Sequence, residues 1–195
     1  MAYGQEILIF GQDWARIHFV ENEGMAFGWK WGGSTGKLIL SLFRIIAVGF
    51  LIKILMDMIK RKDPKGLIVC FGLILAGAIG NIVDSAFYGW CFSESTSGEV
   101  AHWFPESGPK RGFLFGKVVD MFYFPMWNGT WPEWLPMIGG NRFQFFRPVF
   151  NFADSAITTG VACILLFYRS FFFTAPERAG AESSNPTTAT VITKP

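Results

Sequence analysis

The sequence is poor in the side chains that many hydrolases use for catalysis or metal binding. It has two histidines, His18 and His102, and no HExxH pattern, so zinc-dependent hydrolysis lacks its ligands. Its three cysteines, Cys70, Cys91 and Cys163, cannot all pair, and two of them fall within long apolar segments. Disulfides and metal clusters are therefore not expected, and we predict neither a metal nor a cofactor.

Charge is also scarce. Charged residues make up 16% of the chain and the formal net charge is only +2. Because no basic helix with interleaved aromatic residues is present, we expect no nucleic-acid partner. By contrast, 51% of the residues are hydrophobic and 17% are aromatic. This composition is typical of a membrane protein.

The first residues do not have the pattern of a secretory signal peptide. Residues 1–6 lack the basic region and the long apolar core that such a peptide requires. Residues 7–10 and 14–20 are instead rich in β-branched and aromatic side chains, and a turn at 11–13 separates them. This pattern predicts a β-hairpin, and we assign residues 1–36 to a periplasmic β-rich segment.

Three apolar segments predict transmembrane helices, because a helix crosses a bilayer with about 20 apolar residues. These helices are expected at 37–60, 66–90 and 150–173. The loop at 61–65 is rich in lysine and arginine, so the positive-inside rule places it in the cytoplasm. Arg44 lies within the first of these helices, and its side chain could either snorkel to the membrane surface or face the site. We slightly favour snorkelling.

The remaining segments are assigned to opposite sides of the membrane. Residues 91–149 contain many tryptophan and phenylalanine residues, with five basic residues balancing five acidic ones. Aromatic rings of this kind lie at the headgroup level, so we predict a periplasmic interfacial segment built from loops and short helices. Residues 174–195 lack apolar periodicity and predict a disordered cytoplasmic tail.

Small residues mark one face of the second predicted span. Gly72 and Gly80 belong to a small-residue pattern with a spacing of four, which lets two helices approach closely. Gly77 and Asn81 share a helical face with Asp84. The close-packed side of this helix is therefore predicted to end in polar groups.

Two carboxylates have apolar neighbours in the sequence and are expected near the outer membrane–water boundary. Asp154 lies in the first turn of the last span, three residues after Asn151, and Asp120 lies in the sequence VVDMF. A carboxylate within a membrane segment is costly and usually functional. However, Asn151 followed by Asp154 is also a common helix-capping arrangement. The residues at 151–154 alone leave both interpretations open.

Four separated blocks carry a resemblance to a known family. They are residues 22–27 (NEGMAF), 80–85 (GNIVDS), 116–122 (GKVVDMF) and 150–157 (FNFADSAI). In this order and spacing they resemble lipoprotein signal peptidase, the bacterial signal peptidase II family. The resemblance covers the chain from roughly residue 7 to residue 168.

The resemblance implies a fold and a location. The fold would be an α-helical polytopic membrane protein with a small β-hairpin or cradle region at the outer membrane surface. The family has four transmembrane helices, and three are predicted here. We therefore expect the family's first helix to be missing, and an apolar stretch of about 20 residues to precede Met1. The location would be the bacterial inner membrane, with the active site at its periplasmic face.

The resemblance also implies an activity and a site. Asp120 and Asp154 would form the catalytic dyad of an aspartic endopeptidase. Its partners would be membrane lipid and diacylglyceryl-modified prolipoproteins, whose signal peptides it removes by cleaving just before the lipidated cysteine. The implied supporting residues are Asn22, Gly24, Asn81, Asp84, Asn151 and Ala153. Ser85 replaces the arginine that many members have after the GNxxD block, and Phe152 stands where valine is common, which leaves details of substrate binding open.

Two other classes of function have to be weighed. A presenilin-type intramembrane aspartyl protease would carry its aspartate in a GxGD block deep in a span, and this sequence contains no such block. A non-catalytic membrane scaffold or transporter subunit would use the same polar groups for helix packing. Asp→Asn substitutions distinguish an aspartic peptidase from a scaffold, because a scaffold should tolerate them.

Overall fold

Two long apolar helices are the longest elements among the described residues. The computed structural model describes residues 1–24, 33–106, 108 and 111–173, so the predicted tail at 174–195 lies outside the described residues. Helix α1 spans Gly33–Lys60 and helix α2 spans Lys65–Cys91. Both are long and apolar enough to cross a membrane, and α2 begins directly after Pro64, a residue that favours helix starts.

The outward surface of α1 is apolar. Phe43, Ile46 and Phe50 are 66%, 71% and 63% exposed in the protein. A continuous apolar surface of this kind is unfavourable in water and favourable in lipid. The helix pair therefore has the surface of a membrane protein.

Helix α3 spans Phe152–Phe167 and packs closely against α2. A Cβ atom added at Gly77 would lie 2.7 Å from Ile157 Cγ1, and one added at Gly160 would lie 2.6 Å from the carbonyl oxygen of Cys70. Gly77, in the later part of α2, meets the start of α3, whereas Cys70, in the earlier part of α2, meets Gly160 further along α3. The two helices therefore run antiparallel. Of the predicted small-residue pattern, Gly72 does not take part: within the described chain, a Cβ there would meet nothing within 4 Å.

The segment predicted as one helix over 150–173 is divided. Helix α3 ends at Phe167, Tyr168 leaves the helical conformation at φ −124° and ψ 8°, and a short helix α4 follows at Arg169–Phe173. At the other end, Phe150 belongs to a strand and Asn151 is the N-cap of α3. Helix α3 is apolar but shorter than α1 and α2.

A four-stranded antiparallel sheet lies against the end of α2, in the order β1-β2-β3-β6. Its strands are β1 (Glu6–Leu8), β2 (Arg16–Asn22), β3 (Val118–Tyr123) and β6 (Val149–Phe150). Strand β2 pairs with β3 across a large sequence separation, with Val20 opposite Asp120 and Asn22 opposite Val118. The predicted hairpin region thus contains β1 and β2, joined by a 3-10 turn at Ile9–Gly11.

The outer segment differs from its prediction. We expected loops and short helices over 91–149, but the described part of that segment contains four strands and no α-helix after Cys91. Besides β3 and β6, it forms a second hairpin from β4 (Trp127–Thr130) and β5 (Arg142–Phe145). Strand pairing therefore organises this region. The many proline and glycine residues of the segment had suggested loops instead.

Candidate active site

Strands β2 and β3 bring Asn22 next to Asp120. Val20 lies directly opposite Asp120, so Asn22, two residues further along β2, is a diagonal neighbour on the same face of the sheet. The Asn22 Nδ2 group donates a hydrogen bond to Asp120 Oδ2 at 3.1 Å, and Asn22 Oδ1 accepts one from the Gly24 N–H at 3.0 Å. The amide of Asn22 is therefore held with its donor toward the carboxylate.

The start of α3 supplies the second carboxylate. Asn151 caps the helix, because its Oδ1 accepts a hydrogen bond from the Asp154 N–H at 2.9 Å. Asp154 Oδ2 lies 3.5 Å from the Asn151 N–H and completes a reciprocal capping box. The capping interpretation of these residues is thus confirmed, and the same pair also lies at the carboxylate site.

Asn151 and Asn81 link the two carboxylates. Asn151 Nδ2 donates to Asp120 Oδ1 and to Asn81 Oδ1, both at 3.1 Å. Asn81 Nδ2 in turn donates to Asp154 Oδ1 at 3.0 Å. A side-chain amide has two donor hydrogens and one acceptor oxygen, and in Asn151 all of them are used within the site. The structure therefore brings Asp120 and Asp154 into one hydrogen-bonded network.

The environment of Asp120 opposes its negative charge. Asp120 is 4% exposed and Asn151 is 5% exposed. Burial raises the pKa of Asp120 to about 6; the hydrogen bond from Asn22 opposes this rise, and the charge of Asp154 adds to it. Asp120 is therefore the carboxyl group of the network whose protonated form is favoured.

Asp84, Gly24 and Ala153 have structural contacts around the pair. Asp84 Oδ2 accepts a hydrogen bond from the Val119 N–H at 3.3 Å, which attaches β3 to α2 just before Asp120. Ala153 packs against the glycine face of α2, where a Cβ on Gly80 would lie 3.2 Å from its own. Gly24 has φ +93°, a left-handed conformation that favours glycine.

Ion pairs hold the end of β2 that carries Asn22. Glu21 Oε2 lies 2.9 Å from Lys117 Nζ, and Glu23 Oε2 lies 3.2 Å from Lys37 Nζ. Burial would raise the pKa of Glu23, but the charge of Lys37 and its hydrogen bond bring that pKa below its usual value. Glu23 is therefore held as a carboxylate that attaches the end of β2 to the first turns of α1.

The sequence left two interpretations of Arg44 open, and its contacts decide between them. Arg44 lines the same cleft of about 1060 Å³ as Asp120 and Asp154. Its guanidinium donates hydrogen bonds to the Gly24 carbonyl and to Ser85 Oγ. Gly24 lines this cleft and Ser85 is buried on α2, so the favoured prediction that Arg44 snorkels to the membrane surface was wrong. Its position within an apolar helix was the available signal, since such charges usually face a functional site.

The contact that Gly116 makes was not predicted from the sequence. A Cβ atom at this position would lie 2.7 Å from the Asp84 carbonyl oxygen and 2.8 Å from the Gly89 nitrogen, and the Gly116 N–H donates to the Ser85 carbonyl at 2.8 Å. The chain entering β3 therefore lies directly on the backbone of α2. Its place at the head of the GKVVD block was the only sequence signal for this contact.

The protein has two apolar helices long enough to cross a membrane, which is typical of an integral membrane protein. A sheet lies at the end of α2, and the cleft there contains two carboxylates linked by hydrogen bonds. The family model for signal peptidase (SPase) II matches residues 2–172. The chain belongs to the signal peptidase II family.

Individual relatives agree with this assignment. A lipoprotein signal peptidase of Porphyromonas gingivalis is 50% identical over 169 residues, which cover 86% of this chain and 72% of that protein. A lipoprotein signal peptidase of Amoebophilus asiaticus is 37% identical over 159 residues, covering 81% and 63%. A solved bacterial membrane enzyme structure, obtained by the in meso method, aligns with a TM-score of 0.47 and 19% identity over 96% of this chain and 80% of that one.

Proposed function

We propose that this protein is an aspartic endopeptidase of the bacterial inner membrane. It removes signal peptides from diacylglyceryl-modified prolipoproteins and cleaves just before the lipidated cysteine. The observation that carries the proposal is the amide bridge from Asn151 to Asp120 and, through Asn81, to Asp154. The relatives named lipoprotein signal peptidase support the choice of substrate.

The chemistry follows from a pair of carboxylates that share one proton. The ionised member takes a proton from a water molecule, which attacks the scissile carbonyl carbon. The protonated member donates a hydrogen bond to the carbonyl oxygen and then a proton to the leaving amine. Asn22, Asn81 and Asn151 hold the two carboxylates in place during these steps. No covalent intermediate, metal or cofactor enters the reaction.

The position of the cleft suits a lipid-anchored substrate. Its lining includes Ile157 and Thr158 of α3 and Arg44 of α1, so it extends along the apolar helices as well as under the sheet. A diacylglyceryl group can remain among lipid tails while the peptide next to it reaches the carboxylates. Arg147 and Phe150, at the sheet end of the cleft, would face the peptide.

The test is cleavage of a diacylglyceryl-modified prolipoprotein by purified protein in lipid. Asp120→Asn and Asp154→Asn should each lower the rate by several orders of magnitude, on the order of the loss when other catalytic units lose one member. The double variant should be scarcely slower than either single variant, because residues that act as a unit are not additive. The product should begin with the lipidated cysteine, as mass spectrometry of the released signal peptide would establish.

Two control variants make the result specific. Asp13→Asn makes the same chemical change at an exposed residue of the β1–β2 connection and should leave the rate unchanged. Asp84→Asn weakens a contact that positions β3 and should lose less than either dyad variant. Substantial cleavage by Asp120→Asn or Asp154→Asn would overturn the aspartic mechanism and leave Asn151 and Asp154 as a helix cap.

A further inference from the structure

Arg44 is a charged side chain in the apolar body of α1, and it faces the protein interior. A guanidinium inside a membrane helix is costly unless it is paired or lines a polar cavity. Here Nη1 donates to Ser85 Oγ at 3.4 Å and Nη2 donates to the Gly24 carbonyl. Arg44 therefore links three parts of the fold: α1, which carries it, the chain two residues after the end of β2, and α2.

Both partner positions are small, which leaves room for the guanidinium. A Cβ atom on Gly24 would lie 2.8 Å from Arg44 Nη1. Ser85 is 2% exposed and lies on α2 one turn after Asn81. A longer side chain at either position would compete with Arg44 for the same space.

Arg44 also interacts electrostatically with both carboxylates of the pair. If Asp120 and Asp154 share one proton, the pair carries a charge of about −1 and the guanidinium balances it. A cation near a carboxylate favours the ionised form. In apolar surroundings this effect is stronger than in water, since the charges are poorly screened.

We propose that Arg44 is a positioning residue for the carboxylate pair. It holds the Gly24 end of β2, and with it Asn22, against α2, and its charge keeps one member of the pair ionised at neutral pH. Ser85 is the small partner that leaves room for the guanidinium supplied from α1. This inference rests on the proposed aspartic peptidase function, which it extends by assigning a role to the one basic side chain that α1 contributes to the lining of the cleft among the described residues.

The first test compares the pH dependence of kcat/KM among matched variants. Arg44→Met removes the charge, so the pKa of Asp120 should rise and the profile should move to higher pH, by about one unit. Lys53→Met removes an exposed basic residue from the other half of the same helix and should leave the profile unchanged. Arg44→Lys should keep the position of the profile and lower its height, because lysine retains the charge but not the forked donor geometry.

A positional exchange supplies the sharper test. Arg44→Ser removes the guanidinium that α1 contributes to the cleft, which Lys117 and Arg147 also line. Adding Ser85→Arg returns a guanidinium to the space of Arg44 from α2. The double variant should recover the wild-type pH position relative to Arg44→Ser alone. A merely structural role of Arg44 in α1 would not give this recovery. An unshifted profile in both Arg44→Met and Arg44→Ser would overturn the proposal.

A measurement without substrate separates this inference from the proposed function. Infrared titration of the protein in detergent detects the protonated carboxyl groups, and the band lost in Asp120→Asn identifies Asp120. Its midpoint should lie about one unit higher in Arg44→Met than in wild type or Lys53→Met. If wild type cleaves no prolipoprotein, the proposed function fails while this titration still decides the role of Arg44. An equal midpoint in all three proteins would contradict it.

Discussion

At the scale of single residues, Asn151 couples helix formation to the carboxylate site. Its Oδ1 caps α3, while its Nδ2 group donates to Asp120 and to Asn81. A helix cap and an active-site ligand are usually alternative explanations for an asparagine in this position. Here one side chain serves both purposes, so a change that removes only one of them is informative.

Asn151→Ser is such a change. Serine is as good an N-cap as asparagine, so the free energy of unfolding should fall by less than about 1 kcal/mol. Serine has no amide group to bridge Asp120 and Asn81, so cleavage should fall by a factor of about 100 or more, the loss expected when a preorganised hydrogen-bond donor is removed. Thermal unfolding in detergent and the prolipoprotein cleavage rate measure the two effects separately.

Asn151→Ala is the matched control, because it removes the cap and the bridge together. It should lose activity and also about 1–2 kcal/mol of stability. If Asn151→Ser instead cleaves at the wild-type rate, the amide bridge is dispensable and Asn151 is a cap alone.

At the scale of elements, the site depends on the closeness of α2 and α3. The glycines Gly77 and Gly160 let the two backbones meet, and this contact sets the level at which Asn81 faces Asp154. Close contact through small residues is a common way for helices to associate in membranes. The geometry of the carboxylate site therefore depends on residues that carry no functional group.

Gly77→Ala should separate the two helices at the level of the site. The new Cβ would clash with the Ala153 carbonyl oxygen and lie 2.7 Å from Ile157 Cγ1, so we expect a loss of about 1–3 kcal/mol in stability and a lower cleavage rate. Gly72→Ala is the matched control in the same helix. Among the described residues nothing lies within 4 Å of its new Cβ, so this variant should be neutral or up to about 1 kcal/mol more stable.

Thermal unfolding in detergent and the prolipoprotein cleavage rate should be measured for Gly77→Ala and Gly72→Ala and compared. Equal stabilities for Gly77→Ala and Gly72→Ala would show that the contact of α2 with α3 does not limit the fold.

Individual elements differed in how far local sequence could predict them. The length of the apolar segments predicted helices at 37–60 and 66–90, close to α1 (Gly33–Lys60) and α2 (Lys65–Cys91). This prediction was possible because a run of apolar residues is a property of neighbouring positions in the sequence. Strand β3 was not predicted, because its pairing with β2 joins Asp120 to Val20, far away in the chain. Such pairing leaves no short-range signal.

The residues of the candidate site also differed in how far the sequence could predict them. The motif resemblance selected Asp120, Asp154 and the three asparagines, and the structure places them in one network. Arg44 lies outside those motifs, and its contact with Ser85 exists only because α1 packs against α2. Local sequence could therefore identify the carboxylates of the site, but it could not decide whether Arg44 faces them.

At the scale of the whole molecule, basic residues gather at the connection between α1 and α2, whereas the sheet and the cleft lie at the other end of α2. The connection includes Lys60, Arg61, Lys62 and Lys65, with Asp63 as its one acidic residue. Cytoplasmic loops carry such an excess of lysine and arginine. The sheet and the carboxylate pair are therefore expected on the outer side, where the signal peptides of exported prolipoproteins are accessible.

Cysteine labelling in spheroplasts tests this orientation. In a variant with Cys70, Cys91 and Cys163 replaced by alanine, Ser97→Cys should react with a membrane-impermeant maleimide, and Lys62→Cys should react only after the membrane is permeabilised. Both positions are exposed in the structure, so a difference between them reports the membrane barrier rather than burial, and labelling in detergent provides the control. The reverse pattern would place the carboxylate pair on the cytoplasmic side, where it would meet a prolipoprotein before export, and would contradict the proposed periplasmic site.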